Sequence, residues 1–155
     1  MKLAEGLTLR ADAVRRAEQL RARVTANARY QEGEPPAEDA AALLAEAGAV
    51  LGELESLIRR INRTNAATQV DGVTLTDLLA RRDVLRLRHS VVTDAAGAAA
   101  GDKSRGAYRQ LRSELKMVSA LPVAQLRAEA DDLARQLREV DTVIQRTNWQ
   151  VDLLD

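Results

Sequence analysis

The chain has 155 residues, 46% hydrophobic and 30% charged, with a formal net charge of zero. That size and balance describe one globular domain over residues 1–155 rather than a disordered segment. With no Cys it cannot form disulfides, thiolate metal sites or cysteine nucleophiles, and with no Phe and 2% aromatic residues a deep aromatic pocket or a base-stacking platform is not expected.

The first residues, Met1 to Gly6, lack the apolar run of a signal peptide. No stretch approaches the roughly 18 uninterrupted apolar residues of a membrane-spanning helix. The expected location is the cytoplasm, and a membrane is not an expected partner.

Residues 8–30 read as a first helix, with Leu9, Ala13, Ala17, Leu20, Val24 and Ala28 on one stripe. Gly33 and Pro35-Pro36 break it. Residues 37–65 read as a second helix with Glu38 and Asp39 in its first turn. Leu44, Ala47, Leu51, Leu54, Ile58, Ile61 and Asn65 follow alternating steps of three and four, a coiled-coil-type seam. Gly48 and Gly52 on this helix lower its propensity but permit a neighbour to come close. Asp71-Gly72 supplies a turn.

Residues 75–99 read as a third helix, with Thr74 or Thr76 as N-cap. Leu75, Leu78, Arg82, Leu85, His89, Val92, Ala96 and Ala99 form its stripe, so Arg82 and His89 interrupt an apolar line. A second row, Val84, Leu87 and Val91, predicts contacts on two sides. Gly97 to Gly106 reads as a small-residue loop. Lys103 and Arg105 within it, with Tyr108, Arg109 and Arg112 beyond it, make a basic stretch with one aromatic, read as a solvated loop and helix end. Alternation over 114–121 fits either a short strand or a frayed helix end. Pro122 opens a fourth helix at about 122–149, whose seam is Leu126, Ala130, Leu133, Leu137, Val140, Ile144, Thr147 and Val151.

Four long helices with short connections predict an all-α, elongated antiparallel bundle. Such a shape exposes apolar surface that self-association would cover, so a homo-oligomer is the expected assembly. Charge is unevenly spread. Residues 31–58 carry seven acidic side chains and no basic one; residues 81–116 carry nine basic and four acidic. Intramolecular pairing of faces and charge-guided contact between copies both fit. A lone tyrosine among the basic residues argues against nucleic acid as partner.

The polar phrase Ile61-Asn62-Arg63-Thr64-Asn65 returns as Ile144-Gln145-Arg146-Thr147-Asn148, each copy ending a helical pattern. Arg63, Thr64, Asn65, Arg146, Thr147 and Asn148 are therefore candidate ligand-binding or interface residues. They fit capping and register, or an anion site in which Arg63 and Arg146 supply bidentate donors. Trp149, directly after the second copy, is expected to pack against another helix or a second subunit. Arg82 is read as part of an ion-pair network with Arg86 and Asp83. His89, the sole histidine, is read as a hydrogen-bonded interior residue. Residue 86 is Arg, so the Glu-x-x-His pattern of di-iron bundles is absent. No phosphate-binding loop, dinucleotide fingerprint or nucleophile elbow is present. No catalytic residue, metal site or cofactor is expected; a structural or binding module is favoured over an enzyme.

Five phrases together resemble a septicolysin-like family of small, largely uncharacterised bacterial helical proteins. They are Asn27-Ala28-Arg29-Tyr30-Gln31-Glu32-Gly33, Ile61 to Asn65, Leu75-Thr76-Asp77, Ser113-Glu114-Leu115-Lys116-Met117-Val118 and Thr147-Asn148-Trp149. The resemblance spans nearly the whole chain. It implies a helical fold without established catalytic residues and, by its label, membrane-active cytolysis as an alternative function.

Overall fold

The computed structural model describes residues 1–102 and 115–155. Four helices occupy most of them: α1 (Leu3–Asn27), α2 (Ala40–Ala67), α3 (Leu75–Ala99) and α4 (Val123–Gln150). A two-stranded hairpin, β1 (Gln69–Val70) and β2 (Val73–Thr74), links α2 to α3. The architecture is an all-α helical bundle. The basic stretch Lys103, Arg105, Tyr108, Arg109 and Arg112 lies outside the described residues.

The chain divides into two compact units. The first takes Met1–Leu75 and returns to include Gln145–Asp155; the second is Thr76–Ile144. In the first, α1 and α2 pack antiparallel. Arg23 pairs with Glu38 beside the connecting loop, and Arg16 pairs with Glu46 two turns further along. Between the helices lies a narrow core of Leu20, Leu43 and Val50, flanked by Ala13, Ala17, Val24 and Ala47. Alanine on both helices lets their axes approach closely. Asn27 ties the loop at both ends, its Nδ2 donating to the Arg23 carbonyl and its Oδ1 accepting from the Glu38 N–H.

α2 begins at Ala40, three residues later than the sequence pattern predicts. Asp39 is not in the first turn but caps it, its carboxylate accepting from the N–H groups of Ala41 and Ala42. The inward face of α2 also differs from the predicted seam. Leu43, Val50 and Thr64 are buried and Leu57 is half-buried, whereas Leu44, Leu51 and Ile58 are exposed. Two heptad rows lie side by side on this helix and share Ala47, Leu54 and Ile61. Periodicity alone cannot choose between them.

Asp71 and Gly72 both have positive φ, 52° and 81°, the geometry of a two-residue type I′ hairpin turn. Gln69 pairs with Thr74 and Val70 with Val73. The strand pairing therefore sits here and not at 114–121, where residues 115–121 form neither helix nor strand. Ser119 explains part of this: its Oγ accepts the Leu121 N–H at 3.3 Å, a donor that a ladder would need.

In the second unit, Arg82 and Arg86 of α3 reach Asp141 of α4, and Arg88 reaches Glu129. Rising numbers on α3 meet falling numbers on α4, so these two helices also run antiparallel. Leu85, Val92 and Ala96 on α3 and Leu133, Val140 and Ile144 on α4 are buried, which follows both predicted stripes.

Candidate functional site

The best-defined polar arrangement lies where the last turns of α2 meet residues 151–155. Thr64 is 0% exposed. Its hydroxyl donates to the Arg60 carbonyl at 2.8 Å and accepts the Leu154 N–H at 3.0 Å. Arg60 donates through Nε to the Leu154 carbonyl and through a terminal nitrogen to the Asp155 carboxylate, both at 3.0 Å. Arg63 donates to the Asp155 backbone oxygen at 2.9 Å. The same tail is held from its other side by the start of α1. Lys2 and Asp152 form an antiparallel bridge, with Leu3 N–H donating to the Val151 carbonyl and Leu153 N–H to the Met1 carbonyl. Lys2 Nζ pairs with Asp152 at 2.8 Å, and this ammonium holds the Asp152 carboxyl below its ordinary range. Leu153 is buried against Gly6, where an added Cβ would come within 2.9 Å of a Leu153 methyl. Gly6 thus supplies the seat that fixes the tail.

Beside this clasp is a shallow recess of about 350 Å³ lined by Ser56, Arg59, Arg60, Arg63 and Asp155. Three arginines line it, and only Arg60 pairs with the Asp155 carboxylate. Among the described residues Arg59 has no ion-pair partner; Glu55, one turn earlier, does not pair with it. Of the sequence candidates, only Arg63 lines the recess. Arg146 is exposed and does not line it, so the two Arg-Thr-Asn copies do not share this site. Ser56, Arg59, Arg60 and Asp155 were not singled out from sequence. The usable signal was the Arg59-Arg60…Arg63 spacing, which places Arg59 and Arg63 on one helix face.

The remaining candidates are dispersed. Asn65 is half-buried, and Thr147 and Asn148 are buried. Trp149 is 61% exposed, not packed inside its unit. Arg82 is bonded to Asp83 through Nε at 3.0 Å and a terminal nitrogen at 2.9 Å, with Asp141 at 4.0 Å. His89 is half-buried, and among the described residues its imidazole has no hydrogen-bond partner, unlike the bonded histidine expected. Among the described residues no group of three His, Asp or Glu side chains is placed to hold a metal, and no helix is long and apolar enough to cross a membrane.

Among the described residues two apolar rows are exposed. On α2, Leu44 and Leu51 are 63% and 53% exposed, with Ile58 one heptad further. A groove of about 330 Å³ runs beside them, its apolar lining Ala17, Val24, Leu44, Ala47 and Leu51. Space above Gly48 and Gly52 is open. On α3, Val84, Leu87 and Val91 are all at least 60% exposed.

Fold and site together define an all-helical bundle protein whose α2 helix is clasped by a distant tail. The chain belongs to the family of unknown function DUF6847, whose profile it matches over residues 10–153. A crystal structure of a functionally unknown conserved protein from Corynebacterium diphtheriae is similar, at 37% identity and a TM-score of 0.91, covering 99% of each chain. No curated protein matches. These findings correct the septicolysin-like resemblance: neither the family nor the structural relative carries that label, and the short shared phrases were too weak to assign it.

Proposed function

We propose that the chain is a non-catalytic cytoplasmic binding module that assembles with a second copy, the outward row of α2 in one copy docking on the outward row of α3 in the other. The observation that carries this reading is the uncovered heptad row Leu44, Leu51 and Ile58, which lies beside an apolar groove and open space at Gly48 and Gly52. Isolated surface leucines need no explanation, but a row at heptad spacing on one helix does. Charge selects the partner row. The part of α2 that carries Leu44, Leu51 and Ile58 has three acidic side chains, Glu46, Glu53 and Glu55, and no basic one before Arg59, so these stretches of two copies repel one another. The α3 row is bordered by Arg81 and Arg88, and its apolar residues match those of α2.

Native mass by size-exclusion chromatography with light scattering tests this. The wild type is expected as a defined oligomer that weakens with salt, and Leu51→Lys as a monomer with unchanged helicity. Glu55→Arg should weaken assembly, and Arg81→Glu added to it should restore part of the loss. A wild-type monomer at high micromolar concentration overturns the proposal.

A further inference from the structure

We propose that the recess lined by Ser56, Arg59, Arg60, Arg63 and Asp155 binds a phosphoryl group, with the Asp155 carboxylate as its competitor for Arg60. Charge points to an anion. Three arginines line this recess, and the Asp155 side-chain carboxylate pairs with Arg60 alone. Positive charge is left over for a phosphoryl group near neutral pH. Donor geometry agrees. Planar guanidiniums present forked N–H pairs suited to phosphate oxygens, and the exposed Ser56 hydroxyl adds a further donor at the rim.

The three arginines are not equivalent. Arg60 and Arg63 already hold the tail through the Leu154 carbonyl and the Asp155 backbone oxygen, and these bonds fix their side chains. Among the described residues Arg59 has no ion-pair partner. It is the donor a purely structural clasp leaves unexplained. The Asp155 side chain is fully exposed, so its carboxylate can swing aside at little cost while the backbone bonds to Leu154 and Asp155 stay in place. The recess is shallow, which suits the end of a phosphorylated molecule and leaves the rest of that molecule in solvent.

This inference is independent of self-association and is tested by titrating the full chain with inorganic pyrophosphate, observed by phosphorus NMR and calorimetry, with chloride at equal ionic strength as control. Binding by the wild type is expected. Arg59→Gln should weaken it about tenfold, the effect of losing one charged hydrogen-bonding partner, without moving the melting temperature of the unliganded protein. Asp155→Asn should strengthen binding, because it removes the competing carboxylate. A wild type that gives neither heat nor a phosphorus shift at millimolar pyrophosphate overturns the proposal. So does Asp155→Asn binding more weakly, which would make the carboxylate part of a structural clasp rather than a competitor.

Discussion

Replacing Thr64 by valine removes one oxygen from a fully buried side chain and keeps its shape. Two bonds go with it, to the Arg60 carbonyl and from the Leu154 N–H. The first loss is small, because the Arg60 carbonyl keeps the helical N–H that α2 gives it; the Thr68 N–H likewise bonds the Thr64 carbonyl. The second is larger. A net hydrogen bond contributes about 1 kcal/mol, and an amide stranded away from water costs about 1–3 kcal/mol. Leu154 is about half exposed, so water reaches part of that N–H and the lower end applies. The expected destabilisation is about 1–2 kcal/mol. At roughly 2–4 °C per kcal/mol for a chain of this length, the midpoint should fall by about 2–8 °C. Thermal unfolding by circular dichroism gives the size, and amide hydrogen exchange gives the place: Leu154 should lose protection before the core of α1 and α2 does. Thr64→Ser, which keeps the oxygen, should retain the Leu154 protection. If Thr64→Val leaves both the midpoint and that amide unchanged, the clasp does not hold the tail.

Two further outcomes follow from the same unit. Leu20→Ala opens the narrow core beside Leu43 and Val50 and should cost about 2–5 kcal/mol, measured by urea unfolding, while Leu44→Ala on the outward row should cost far less. Stability should also decline in acid. The carboxyl of Asp152 is held low by Lys2 and that of Glu38 by Arg23, so each contributes stability above its unfolded pKa and loses it as pH falls through its folded one. Asp152→Asn should flatten part of that acid slope in melting curves, and an unaltered slope would remove the Lys2 pair from the account.

The sequence carried the helices better than their partners. α3 spans Leu75–Ala99, the bounds predicted from Thr74 or Thr76 as N-cap and from the small residues that begin at Gly97. The α4 stripe from Leu126 to Val151 also faces inward as read. The α2 face was not legible, since Leu43 and Leu44 fit a heptad equally well and only packing against α1 separates them. The hairpin was half legible: Asp71-Gly72 gave the turn, but two-residue strands are too short to show alternation. Thr64 was flagged as polar, yet its partner lies 90 residues away and no local pattern points there. Arg59 and Arg60 escaped notice for the same reason, as their meaning depends on Asp155.

The bridge between Lys2 and Asp152 has a consequence for how the molecule is made. The first unit is discontinuous, and all of residues 76–144 are synthesised between its two parts. The α1–α2 hairpin can form while the chain is still growing, since its contacts are local. Its clasp cannot, because Thr64, Arg60 and Arg63 have no tail to hold until residues 151–155 emerge. The clasp can therefore close only after all of residues 76–144 have been synthesised.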